Sequence, residues 1–317
     1  MFDFVKLANS DEGFADKLRQ NEFLEFKRTY NERTAELEDP WEAEYNDLLF
    51  ILYPSKRVEI SGSLHKYRNN GKHNYDDFTI EDVKEVLLDL EQRFNINPNT
   101  TTAHHLEYGL NVQPRFNPNR FLGNLICFKN KPFQNMKTFG KAYAKEAIST
   151  QYKIKIYNKA LRYNLNDNTL RFEQKVNKME SIQKGKVFLS ELTSDVFIEK
   201  CFVQLFESFK NLIVMEELKP NIPRTDRRDF DNYDNPRFWE KLSKSKRHYH
   251  KQRFESLKNE YGKETLKNDI LKLMEEKQKL VYPKSKKRDL LTDTENLKTL
   301  PFDSLINKST GNRLAIP

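Results

Sequence analysis

Several signatures that would fix a protein's class at once are missing from this 317-residue chain. It has two cysteines, Cys127 and Cys201, too few and too far apart for a disulfide framework or a cysteine metal site, so both are expected to be reduced and buried. No apolar run reaches the roughly 18 residues that a membrane span requires. The first residues, Met1 to Ser10 and then an acidic stretch, lack the basic-then-apolar plan of a secretion signal. A cytoplasmic protein with no membrane partner is expected. The chain also has no internal repeat, no low-complexity tract, no zinc-spaced cysteines, no dinucleotide fingerprint and no Ser-His-Asp order.

What is present is a charged surface over an aromatic core. Charged residues make up 32% and apolar residues 37%, with 23 Phe and 14 Tyr, which describes a folded protein rather than a disordered one. The net charge of +8 is uneven: residues 1–56 carry 13 acidic against 7 basic side chains, whereas 216–317 carry 24 basic against 17 acidic. The basic stretches are not backed by long Trp-bearing amphipathic faces, so they favour a polyanion such as DNA or RNA over a membrane.

Extended segments are expected at Phe23 to Tyr30, Asp47 to Tyr53 and Val58 to Leu64, a meander with a tight connection at Pro54-Ser55-Lys56-Arg57. Thr79 then caps a helix whose Ile80, Val83, Leu87, Leu90 and Phe94 share one face. Thr101 to Val112 reads as a strand, Asn117-Pro118 as the start of a helix through Ile126, and Ser190 to Leu218 as a helical region with a wide apolar face. This predicts an α+β fold, a mostly antiparallel sheet flanked by helices, over residues 1–220. The charged, Pro-containing stretch 221–235 is expected to be a linker, and 236–317 a basic helical region whose tail after Pro283 is weakly ordered.

Four constellations carry chemistry or binding. Ile154-Lys155-Ile156-Tyr157-Asn158-Lys159 and Thr169-Leu170-Arg171-Phe172-Glu173, joined by the turn formers Asn164 to Asn168, read as a hairpin that sets a tyrosine, a lysine and a glutamate on adjacent strands. That grouping suits phosphodiester chemistry, with a phenolic nucleophile, a cation for the phosphate and a carboxylate for a metal. Alternation places Lys153, Lys155, Tyr157 and Lys159 on one face, where the lysines are expected to favour the phenolate. In Glu107-Tyr108-Gly109-Leu110-Asn111 the first and last residues share a face, and two oxygen donors around a glycine suit Mg²⁺ or Mn²⁺. His104 and His105 precede them, and one of the two, His105, is a candidate further ligand. Ser61-Gly62-Ser63-Leu64-His65-Lys66-Tyr67 offers hydroxyls and cations to a phosphate, without the spacing of a nucleotide-binding loop. Finally, Arg237 to Lys258 holds 8 basic and 2 acidic residues around Phe238, Trp239, Leu242 and Tyr249, a composition suited to duplex binding.

The order of Val58 to Tyr67 with Asn74, His105-Leu106-Glu107 to Asn111, Ile156 to Lys159 and Leu170 to Glu173 resembles the replication initiators of filamentous phages and related rolling-circle plasmids, over roughly residues 45–215. The resemblance implies a fold like that of HUH endonucleases, and a nickase that breaks and rejoins origin DNA through a tyrosine 5′-phosphate. It implies Tyr157 as nucleophile with Lys159 beside it, and Glu107 and Glu173 as ligands expected to share one Mg²⁺ or Mn²⁺. Asn111 stands where related initiators often have Asp, and His104-His105 replaces a histidine-hydrophobe-histidine motif. Candidate DNA contacts are His65, Lys66, Lys153, Lys155, Arg171, Arg237, Lys241, Lys244 and Arg247. Origin DNA, single-stranded and duplex, is the implied partner, with host replication proteins beside it. A relaxase or transposase using the same chemistry, or a DNA-binding relative without catalysis, fits the same residues.

Overall fold

β-Branched and aromatic runs between residues 2 and 176 form one ten-stranded antiparallel sheet in the computed structural model, which describes residues 1–136, 143–263 and 265–283. In chain order the elements are β1 (Phe2–Asn9), α1 (Phe14–Arg19), β2 (Lys27–Asn31), β3 (Glu36–Tyr45), β4 (Leu48–Leu52), β5 (Val58–Ser63), α2 (Leu64–Arg68) and α3 (Ile80–Phe94). They continue with β6 (Thr102–Val112), α4 (Pro118–Gly123), β7 (Leu125–Phe128), β8 (Lys131–Pro132), β9 (Gln134–Asn135), β10 (Ala144–Ile148), β11 (Tyr152–Asn158), α5 (Lys159–Tyr163) and β12 (Leu170–Val176). The last are α6 (Asp195–Lys210), β13 (Leu212–Val214), α7 (Arg224–Tyr233), α8 (Pro236–Lys241), α9 (Lys244–Tyr261) and α10 (Leu266–Val281). The large sheet runs β2-β3-β4-β5-β1-β6-β12-β11-β10-β9, and a small one runs β13-β7-β8. The α+β architecture read from the sequence is therefore the observed one.

One face of the large sheet is apolar and covered by helices. Phe2, Leu106, Leu110, Ile154, Ile156 and Phe172 are buried beneath α3 and α6; Phe197 of α6 packs on Phe2, and Phe209 meets Phe172 edge to face. α3 starts where expected, with Thr79 and Asp82 forming a reciprocal capping box, and ends at Asn95 in the left-handed region.

Several boundaries differ from the sequence reading, each for a physical reason. β1, with no counterpart in that reading, is a central strand buried on both faces, so it shows no alternation. The expected helix from Asn117 ends at Gly123, because Leu125 to Phe128 are all buried as a strand of the small sheet. The expected hairpin turn at Asn164 to Asn168 is preceded by a short helix: Asn158 caps α5, so Lys159 opens a helix instead of continuing the strand. The stretch 221–235 is not an extended linker. It contains α7, whose Phe230 and Tyr233 join Trp239, Phe254, Leu257, Ile126 and Ile213 in a second core, inside one compact unit spanning Met1–Tyr282. The tail expected to be weakly ordered lies outside the described residues.

Gly109 is the position where side-chain absence matters most, since a Cβ there would lie 2.3 Å from the Phe172 carbonyl oxygen and 2.7 Å from Glu173 Cα. We expect Gly109→Ala to destabilise the protein by about 1–3 kcal/mol through forced separation of β6 and β12. Gly123→Ala, with nothing within 4 Å of the added carbon, should be neutral or stabilising by up to about 1 kcal/mol. Urea denaturation of the two variants checks the contrast.

Candidate active site

The polar face of the sheet acquires its site from strand register. Lys155 lies opposite Glu173, Tyr157 opposite Arg171, Glu173 opposite Gly109 and Lys175 opposite Glu107. Residues two apart share a face, so Tyr157, Lys155, Arg171, Glu173, Lys175 and Glu107 converge. The β1–β6 pairing shifts twice: Asp3 and Phe4 together face Glu107, and His104 is an extra residue between Ala103 and His105. Bulges of this kind re-aim side chains. The first brings Asp3 into the cluster.

The Lys155 ammonium donates to Glu107 Oε2 at 2.8 Å and to Glu173 Oε1 at 2.9 Å, and Lys175 holds the other Glu107 oxygen at 2.8 Å. Arg171 donates from Nε to Glu173 Oε2 at 2.5 Å, from Nη2 to Asp3 Oδ2 at 3.2 Å and from Nη1 to Asn111 Oδ1 at 3.0 Å. Asp3 also accepts from Ser63 Oγ at 2.5 Å and from Asn74 Nδ2 at 2.8 Å. The Tyr157 hydroxyl donates to Glu173 Oε2 at 3.4 Å, and the residue is only 1% exposed. Lys159, fully buried, donates to the Asn74 carbonyl, and Tyr163 donates to Asn74 Oδ1 at 2.6 Å.

Burial opposes ionisation of Glu173, but Lys155 and Arg171 outweigh it and hold the carboxyl at about 2; Asp3 is likewise held low against its burial by Arg171 and Lys159. Burial would discharge Lys155, yet Glu173 and Glu107 keep it protonated. Tyr157 is the opposite case: burial and then Glu173 push its phenol well above the ordinary value. The expectation that neighbouring lysines favour the phenolate is thus reversed, because Lys155 is taken up by carboxylates, Lys153 by Glu146 at 3.1 Å and Lys159 by a backbone carbonyl. Burial and Arg171 drive Lys159 well below the usual lysine range.

Glu107 and Glu173 do converge, as expected, but the cation they share is an ammonium. His105, held below its ordinary value by burial and Lys175, accompanies them on β6, while both Asn111 side-chain atoms are engaged, the amide nitrogen donating to the Tyr75 carbonyl at 3.2 Å. Among the described residues no group of three or more His, Cys, Asp or Glu is arranged to hold a metal, and the candidate donors as they stand do not fit a divalent ion. Of the expected DNA contacts, His65, Lys155 and Arg171 are buried and spent inside the protein, and Lys66 pairs with Asp47 at 2.7 Å. Arg237, Lys241 and Lys244 are exposed on α8 and α9, and Arg247 is half-buried, donating to the Leu242 carbonyl. Tyr152 points away, bonded to Lys129. Asp3 and Lys175 were not anticipated; the only trace of Asp3 in the sequence is an acid interrupting an apolar N-terminal run.

His65 is buried against Asp76, its Nε2 2.7 Å from Oδ1, and burial lowers its pKa to about 4. A histidine depressed in the folded state contributes stability that is complete above its unfolded value of about 6.5 and is lost as pH falls toward 4. We therefore expect the wild-type unfolding midpoint to fall between pH 6.5 and 4 more steeply than that of His65→Gln, which keeps a donor for Asp76. Thermal melts across that range measure the difference.

No protein-family model and no curated protein matches the chain. Among solved structures it is similar to the "Rolling Circle Replication Initiator Protein from Geobacillus stearothermophilus", with 10% identity and a TM-score of 0.41, over 82% of this chain and 96% of that one.

Proposed function

We propose that the chain is a rolling-circle replication initiator that nicks and rejoins one strand of origin DNA through Tyr157. The observation that supports this most is the contact of the Tyr157 hydroxyl with Glu173 inside the Arg171–Glu173–Lys155 cluster, a nucleophile beside cations on a rigid central strand pair. In the proposed step the phenolic oxygen forms a bond to phosphorus, the P–O3′ bond breaks, and the leaving 3′-oxygen takes a proton. The product is a tyrosine 5′-phosphate ester and a free 3′-hydroxyl, so the bond energy is retained for rejoining.

Glu173 is held too acidic by Lys155 and Arg171 to keep the phenolic proton near neutral pH, so the proton lost by Tyr157 is balanced by the one taken up at the leaving 3′-oxygen; Lys159, two residues along the chain, is the proposed second catalytic residue. Lys155 and Arg171 are the cations best placed to stabilise charge gathering on the phosphate. Because Tyr157 is buried, a phosphate reaches it only after the site opens. The exposed Arg237, Lys241 and Lys244 add a basic surface suited to duplex DNA.

Tyr157→Phe removes one hydroxyl and should leave the fold intact while reducing covalent protein–DNA adduct to background. Tyr152→Phe and Tyr163→Phe should keep it; adduct formation by Tyr157→Phe would discard the assignment. Electrophoresis of the protein after incubation with labelled single-stranded candidate origin DNA reads this out.

Mg²⁺ or Mn²⁺ is proposed as cofactor only in competition with Lys155, since carboxylates of this kind suit hard cations but are already balanced. Lys155→Met removes the competing charge and leaves Lys175 on Glu107 and Arg171 on Glu173. Titration calorimetry is expected to show Mn²⁺ binding at least about tenfold tighter to this variant, a change of ~1.4 kcal/mol. Equal or weaker binding would place the metal elsewhere.

A further inference from the structure

The loop between α2 and α3 carries an aromatic row that the proposed chemistry does not use. His73 and Tyr75 stack face to face, 4.1 Å between centroids at 18°, and Tyr75 meets Tyr163 edge to face at 5.3 Å. Tyr75 is 37% exposed, and its hydroxyl has no partner among the described residues. Other exposed aromatics are differently placed: Phe23, for example, is packed against Tyr45 and Phe94 with Arg93 over its ring.

The inner end of the row is fastened to the site. Tyr163 donates to Asn74, whose amide donates to Asp3, and Asp3 binds the Arg171 that holds Glu173. The Tyr75 carbonyl is fixed by Asn111, and Asn69 donates to both the ring nitrogen and the carbonyl of His73. Its charge is arranged for an anion. Arg162 lies 5.6 Å over the Tyr163 ring, and Lys72 is exposed with no ion pair among the described residues. Of the nearby acids, Asp77 is paired with Lys277 and Asp47 with Lys66, while Asp76 is held by hydrogen bonds with His65 and Asn69.

An exposed ring such as Tyr75, backed by stacked aromatics beside a basic edge, is what proteins use to hold unpaired bases, because every base offers a π-face and every nucleotide a phosphate. A duplex, with its bases already stacked, gains nothing from such a surface. We propose that His73, Tyr75 and Tyr163 form a stacking ledge for one or two unpaired bases of a DNA strand leading to Tyr157. The ledge deepens the proposed function and rests on it, since it supplies the single-stranded stretch that presents a phosphodiester to the tyrosine.

The test uses the full chain and fluorescence anisotropy with a labelled mixed-sequence strand of about 20 nucleotides and with the same sequence as a duplex. Tyr75→Ala should weaken single-strand binding by about tenfold, the loss expected for one base stack, with duplex binding changed by less than about twofold. Tyr75→Trp should restore single-strand binding, which a loss of local folding would not allow. Unchanged single-strand affinity in Tyr75→Ala, or an equal loss on both forms of DNA, overturns the ledge while leaving the nickase proposal standing. Failure of the wild-type chain to bind the single strand at all overturns both.

Discussion

Three buried carboxylates and three cations, tied together on the polar face of the sheet, are the constraint on which the rest of the site depends. Removing one such charge from water costs several kcal/mol unless it is paired and hydrogen-bonded. Here Asp3, Glu107 and Glu173 are matched by Arg171, Lys155 and Lys175, each at hydrogen-bond distance. The pairing exists in one register only. A slip of one residue in β11 or β12 would send Lys155 or Glu173 into the apolar layer beneath α6 and bring Ile154 or Phe172 to the polar face. The charges therefore do more than balance one another: they select the alignment of the three strands that carry the candidate site.

That alignment also explains why the tyrosine is held back. Glu173 must be ionised to satisfy Lys155 and Arg171, and an ionised Glu173 next to the Tyr157 hydroxyl makes the phenol harder to ionise. If Tyr157 is the nucleophile, as proposed above, a resting site of this kind protects it from reacting with anything that cannot compete for its cations. A phosphodiester can, because phosphate accepts from guanidinium and ammonium groups as carboxylate does. The electrostatics that stabilise the fold and those that govern the tyrosine are thus the same contacts.

Much of this was legible in the sequence, for reasons that can be named. The hairpin of β11 and β12 alternates apolar and polar residues, so Tyr157 and Lys155 were placed on a common face with Glu173 on the adjacent strand. Glu107 and Gly109 were likewise legible, since the glycine marks close backbone approach, which is what the Phe172 carbonyl makes there. The partners of these groups were not legible. Asp3 reaches the cluster through a bulge, and a bulge is a property of two strands at once, invisible in either alone. Lys159 was misassigned to the strand because Asn158 serves as a helix cap, and an asparagine near a turn does not announce which of its several roles it takes.

The segment 221–235 shows the opposite failure, a composition that hides structure. Its charged residues and its proline suggest a connector, yet Pro223 precedes the first turn of α7 and the acids pair with the basic helix that follows: Asp226 and Asp229 both bind Arg253. Phe230 and Tyr233 are its only buried residues, and they suffice because Trp239, Phe254 and Leu257 arrive from α8 and α9 to close around them. A helix that buries two aromatic rings against distant neighbours has little local hydrophobic signal, so only the tertiary contact distinguishes it from a linker. The basic surface of α8 and α9 is consequently fixed to the small sheet through a shared core, with Arg237, Lys241 and Lys244 presented from a packed element.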